Sequence, residues 1–423
     1  MFTVALAATG MFFVPAMAAK TTTALPPGPP PDATVHDAAL LVRHGEPQLA
    51  LSTLRSHATD TDVSSMTAGL LALVGEPARA ESLLTATLHP DTEDAATRFR
   101  TQLVRARLLL DAGRAQAALA VIADMDTLAV TPYAGYRDLV AGRAFAALGQ
   151  YAQAARALER SRRNAPEAIR SDVDEARIQA YRALNQPRSA LAVAEEATRG
   201  RRDPDAERRL LKMRFDLARE TGEDAAAYAA ARDLFAGYRR SAEALDCAKA
   251  LASDANTDGM SDTLLLTLAS VLQAQGRSDA LHRVLRRLDA RTLSATQSES
   301  QRLLWGEYHY LRGDYSRAIA LARPGYSDAA LRRRSMLLMA RSFRRVGRAA
   351  DAAGVYETYA RAFPNDAVAA EALYTAASLY GDLRRDADRT RVLDQLRHAY
   401  PSTFHGWAAS MARVRELEAA GDN

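Results

Sequence analysis

The sequence is poor in the residues from which chemistry is usually read. Of 423 residues one is cysteine, Cys247. It has no intramolecular disulfide partner, excludes any Cys/His metal framework, and reads as a small buried apolar side chain. The histidines are few and dispersed. His398 and His405 flank Pro401, so one helix does not present both to a metal. The sequence holds no GxSxG elbow, HExxH helix, P-loop or GxGxxG turn. Carboxylates are plentiful, but none can be named acid or base without a cleft to hold it. The expectation is a protein that is not an enzyme, with no catalytic residue, cofactor or metal.

Aromatics make up 6% of the chain and β-branched residues are sparse, whereas alanine, leucine, arginine and glutamate abound. These are strong helix formers, and they predict an all-α protein. The net charge of +4 is small for the length, and basic clusters such as Arg332-Arg333-Arg334 are scattered among acids. That pattern describes solvated helix faces and excludes nucleic acid as the expected partner.

The first nineteen residues, MFTVALAATGMFFVPAMAA, are apolar, uncharged and end in Ala16-Met17-Ala18. An apolar run before a small-x-small site predicts export, with residues 1–19 as a signal, although the usual leading positive charge is missing. Pro15 and the shortness of the run argue against a transmembrane helix, and no later segment is apolar enough to span a bilayer. Residues 20–34, with the stretch TTTALPPGPPP, read as an extended proline-rich linker.

From residue 35 a repeat runs almost to the end. Turn residues stand at Gly45, Gly75, Gly113, Gly149, Asn185, Gly222, Gly276, Gly313 and Gly347. The fifth place after each is Ala50, Ala80, Ala118, Ala154, Ala190, Ala227, Leu281, Ala318 and Ala352. Seven residues before the turn the side chain is mostly small: Ala38, Ala68, Ala106, Gly142, Ile178, Phe215, Ala269, Gly306, Ala340. Four before, it is mostly bulky: Leu41, Leu71, Leu109, Phe145, Tyr181, Ala218, Leu272, His309, Phe343. Alanine abundance alone does not place small residues in one column and large ones three residues later. Two antiparallel helices in close contact account for both, the small side chains admitting the partner helix and the large ones filling the groove to the next hairpin.

The turn-to-turn spacings are 30, 38, 36, 36, 37, 54, 37 and 34, bracketing the 34-residue tetratricopeptide period. With the small-x-x-large pattern, the glycine turn, the downstream alanine and closing prolines such as Pro166 and Pro364, residues 35–401 resemble tetratricopeptide repeats, although the family's first-helix tryptophan is absent from most copies. The resemblance implies a right-handed superhelical solenoid of stacked helix-turn-helix hairpins. Aromatic-Pro motifs at Pro364 and Pro401 are similar to the longer repeats of bacterial envelope proteins: outer-membrane assembly lipoproteins, the periplasmic Tol-Pal partner, and the helical arms of soluble lytic transglycosylases. In the last group a glutamate of a Glu-Ser pair is catalytic. The pairs here, Glu81-Ser82 and Glu299-Ser300, lie inside or just before a repeat, without the catalytic domain that should follow.

Five segments are expected: the signal, the linker, an array over 35–240, a helical insertion and bend over 241–262, and a second array over 263–423 with a capping helix. The resemblance implies a periplasmic scaffold that binds envelope proteins on a concave face lined by first helices, or alternatively a non-catalytic relative of the transglycosylase arm that binds peptidoglycan. Candidate contacts on that face are Arg107 and Arg143 in consecutive hairpins, Arg341 and Arg344 as a second cationic step, and Tyr310; each arginine suits a carboxylate. Trp305 reads as packing between hairpins.

Overall fold

The computed structural model describes residues 76–87, 95–125, 133–200, 203–254, 259–323 and 325–420, with isolated positions between 41 and 71. The expected signal, the linker and the turns at Gly45 and Gly75 lie outside the described residues. The described residues form nineteen helices and no strand. They divide into two compact units at Ala227 and Tyr228.

In the first unit α1 (Pro77–Thr87) precedes three hairpins: α2 (Ala95–Asp111) with α3 (Ala115–Ala123), α4 (Ala134–Ala147) with α5 (Tyr151–Asn164), and α6 (Glu167–Ala183) with α7 (Pro187–Ala197). Then α8 (Pro204–Thr221) turns at Gly222 into α9 (Asp224–Tyr238), which runs across the division. In the second unit α10 (Ala242–Ser253) is followed by α11 (Asp262–Ala274) with α12 (Ser278–Asp289), α13 (Ala295–Leu311) with α14 (Tyr315–Ala322), α15 (Ala329–Arg345) with α16 (Ala349–Ala362), and α17 (Ala369–Asp382) with α18 (Asp386–Ala399). The last described helix is α19 (Phe404–Ala420). The single helix α10, capped by the Ser241 hydroxyl, is what lengthens the 54-residue step.

The described hairpins turn by one main-chain device. Gly113, Gly149, Gly222, Gly276, Gly313 and Gly347 take φ between 66° and 81°, and Asn185 and Arg384 take φ 56°. The residue after each turn donates its N–H to the carbonyl four residues before the turn, as in Arg114 to Leu109, Gln186 to Tyr181 and Arg385 to Tyr380. This six-to-one bond satisfies a carbonyl that the helix end would leave open. Arg384 marks a hairpin that the glycine-based template passes over.

The two alanine columns are the seams. All nine residues at the fifth place, from Ala50 to Ala352 and including Leu281, are fully buried. At the seventh place before the turn, Ala68, Ala106, Ala269 and Ala340 are also fully buried. A side chain on Gly142 would meet Leu158 and the Ala154 carbonyl of α5, and one on Gly306 would meet Leu338 of α15 as well as Leu321 and the Ala318 carbonyl of α14. The small column therefore lies against the hairpin's own second helix and, at Gly306, against the next hairpin too. One hairpin cannot bury its faces alone, so neighbours stack in each unit and share the core. Each unit is an all-α stack of tetratricopeptide-type hairpins.

Candidate functional site

The first helices of the second unit line two adjoining depressions. The larger, about 340 Å³, is bounded by Tyr310 of α13, Leu337, Arg341 and Arg344 of α15, Tyr356 of α16, and Val368, Glu371, Ala372 and Thr375 at the start of α17. The smaller, about 160 Å³, shares Tyr310, Leu337 and Arg341 and adds Gln273 of α11 together with Glu307 and Arg334. Three sequence-derived candidates, Tyr310, Arg341 and Arg344, thus meet in one groove. Its lining combines the apolar side chains of Leu337, Val368 and Ala372 with the guanidinium groups of Arg341 and Arg344.

The charges in this groove are unevenly answered. Arg334 grips Glu307 with hydrogen bonds of 2.8 and 3.1 Å. Glu307 is buried, and burial pushes its carboxyl up against the opposing pull of Arg334, Arg239 and Arg341. Arg333 reaches Asp366 at 3.3 Å, and the neighbouring Tyr310 phenol pushes the Arg345 guanidinium up. The Arg341 and Arg344 side chains form no ion pair or hydrogen bond among the described residues; both act on Tyr356, whose phenol burial pushes up, and Arg341 also on Glu307, through their field. Glu371 supplies a carboxylate at the edge of the larger depression. The groove thus holds two cations without a salt-bridge partner beside Leu337, Val368 and Ala372, together with two tyrosines. Such a surface suits an anionic group followed by an apolar one.

The first-helix face of the first unit is different. Arg107 on α2 lies 3.7 Å from Asp111, and Arg143 on α4 lies 3.4 Å from Asp172 on α6. Arg209 on α8 reaches Glu175 on α6 at 2.9 Å. Asp172 also sits in the field of Arg107, so one carboxylate stands before both arginines; its own carboxyl is pushed up by burial, with Arg143 and Arg107 opposing. Burial likewise works against the charged form of Arg107, while Asp111 supports it. Arg143 thus faces a carboxylate supplied by the following hairpin, while Arg107 pairs with Asp111 of its own helix within the field of the same Asp172. The Asp172 contact had no signal in the repeat columns, because it lies 29 residues from Arg143.

Trp305 of α13 is half-buried. It donates Nε1–H to Asp289 of α12 at 3.1 Å and packs edge-on against His282 and Tyr308, with centroids 5.6 and 5.4 Å away. Glu299 accepts from the Ser327 backbone and hydroxyl at 2.9 and 2.8 Å, and these bonds hold its carboxylate below the usual range. Glu299 ties the loop before α15 to α13. Among the described residues no three His, Cys, Asp or Glu side chains gather where they would hold a metal ion, and no helix is long and apolar enough to cross a membrane.

No family model and no curated protein matches the chain. Solved structures do. PilF of Pseudomonas aeruginosa is 18% identical, with 51% of this chain and 95% of that chain covered and a TM-score of 0.40. The Cut9–Hcn1 hetero-tetramer of the APC/C is 14% identical over 86% of this chain and 71% of that one, with a TM-score of 0.30. Yeast Tom70 is 12% identical over 92% and 96%, with a TM-score of 0.31. The tetratricopeptide-type fold of each unit rests on its own turns and buried columns.

Proposed function

We propose that the chain is a binding scaffold of the bacterial cell envelope, acting without catalysis, and that it holds an acidic, partly apolar segment of a partner protein in the groove between α13, α15 and α17. The observation that carries this reading is the pair Arg341 and Arg344, whose side chains have no salt-bridge partner and line one depression with Leu337, Val368, Tyr310 and Tyr356. Other first-helix arginines, such as Arg143, Arg209 and Arg334, already face carboxylates of the same chain. In a stack of this type the first helices line the concave face, where an extended segment contacts several hairpins at once. The apolar stretch ending in Ala16-Met17-Ala18 supports export.

The test is fluorescence anisotropy with a labelled peptide in which glutamates alternate with leucines. Binding is expected to weaken as salt rises. The double variant Arg341→Glu/Arg344→Glu is expected to lose at least about tenfold in affinity, roughly 1.4 kcal/mol. Equal affinity of the variant overturns the groove assignment, and retention of that variant on purified peptidoglycan at wild-type level places wall binding elsewhere. Fusing residues 1–34 to a reporter that is active only after export tests the location; a reporter confined to the cytoplasm overturns it.

A further inference from the structure

Helix α19 departs from every other first helix. It exposes Phe404 (73%), Trp407 (59%), Met411 (38%) and Val414 (46%). Steps of three, four and three residues put all four on one helix face. Other exposed large apolar residues, such as Leu148, Leu311, Val346 and Leu383, are single and stand one or two residues before a turn.

The repeat register says what this face is. Turns at Gly347 and Arg384 are 37 residues apart, and the same step leads to Gly421. Counted from there, Val414 occupies the small column, whose members Ala106, Ile178, Phe215, Ala269, Ala340 and Ala377 are all buried. Met411 occupies the place of Leu103, Leu139 and Leu303, which are buried as well. The stripe is therefore a seam surface of the stack, and among the described residues nothing covers it.

We propose that the α19 stripe is the interface of a two-fold homodimer in which two copies of α19 pack antiparallel. A three-four-three stripe is its own complement under that symmetry: Phe404 meets the second copy's Val414, and Trp407 meets the second copy's Met411. Bulk at these places selects such an occupant. The other hairpins keep mostly small residues at Val414's place so that an alanine-lined helix approaches closely, whereas Val414 and Met411 suit the wider spacing of two large-residue faces. Charge permits the pairing, because the only Asp, Glu, Lys or Arg between Phe404 and Val414 is Arg413, which is partly buried. The size fits too. The four side chains offer roughly 400 Å² per copy. Two copies with a polar rim reach the lower bound of about 1,200 Å² for a stable interface.

Sedimentation velocity of the full chain across a wide concentration range tests the pairing. A doubled mass is expected, falling to the monomer in Trp407→Glu with an unchanged circular-dichroism melt. Ala408→Cys places a thiol beside the two-fold axis; the native Cys247 is buried, so oxidation is expected to give a covalent dimer through the new thiol alone. A wild-type protein that stays monomeric at every concentration overturns the proposal, whether or not its stripe then binds lipid vesicles or another protein. A dimer that survives Trp407→Glu, with no crosslink forming in Ala408→Cys, overturns it as well.

Discussion

A Cβ atom placed on Gly142 would lie 2.5 Å from Leu158 Cγ, closer than side chains pack. Gly142 of α4 and Leu158 of α5 thus set the distance between two helices. Alanine has the higher helix propensity, by about 1 kcal/mol. Here the overlap with Leu158 outweighs it. Gly142→Ala is expected to destabilise the first unit by about 1–3 kcal/mol, as overpacked cores are. Urea denaturation followed by circular dichroism checks this, and an unchanged or raised midpoint would count against helix spacing as the role of the glycine.

Arg384 holds the left-handed turn that glycine holds in six other hairpins, at φ 56°. That conformation costs an L-residue about 1–2 kcal/mol. Arg384→Gly is expected to raise stability by about 1 kcal/mol, and Gly347→Ala, with open space around it but φ 77°, to lower it by a similar amount. Thermal melts of the two variants should move in opposite directions.

Asp366 accepts from the Val368 amide at 2.9 Å and from the Tyr359 hydroxyl at 2.8 Å. The amide contact, helped by Tyr359 and Arg333, holds its carboxyl below the usual range against a desolvation that works the other way. A carboxylate with a depressed folded value adds stability that is present above the unfolded value of about 3.9 and lost as pH falls through the folded one. Asp366→Ala is expected to cost about 1–3 kcal/mol at neutral pH, partly because it strands the buried Tyr359 hydroxyl. The gap to wild type should narrow on acidification below about pH 4. A gap independent of pH would mean the carboxylate's charge contributes nothing.

Two arginines should behave oppositely. Arg177 is buried and reaches Glu159 at 2.8 Å and Asp174 at 3.1 Å, with Arg162 on the same Asp174. Arg177→Ala strips a cation from a carboxylate that is 1% exposed, and at least about 2 kcal/mol of lost stability is expected. Arg341→Ala should stay within about 0.5 kcal/mol of wild type, and any loss of peptide binding would then be a loss of contact. Comparable destabilisation by both would show that Arg341 is structural.

Much of this architecture was legible in the sequence because its seams are alanine and its turns glycine, a pairing that chance composition does not produce in register. Ala118, Ala154 and Ala190 could be placed as contacts by counting alone, and they are fully buried. The hairpin turning at Arg384 escaped because its backbone takes the left-handed conformation without glycine; Ala377 and Tyr380, seven and four residues earlier, carried the signal. In the candidate site, Arg341 is placed by its register on a first helix, Arg344 by sharing that helix, and Tyr310 by its aromatic surface. Asp172 and Glu307 were not legible as partners of Arg143 and Arg334, because salt bridges between hairpins leave no periodic trace. The exposure of Trp407 was hidden for a related reason. A buried stripe and an unpartnered one have the same spelling.

The alanines that fill the fifth place after the turn have no side-chain torsion to freeze. A leucine or methionine at such a contact surrenders up to about 1–2 kcal/mol of rotamer freedom on folding, and alanine surrenders none. The hairpins are thus joined largely at points where order costs least, whereas Leu281 at the fifth place, and Ile178 and Phe215 seven residues before their turns, close their seams at a cost in rotamer entropy.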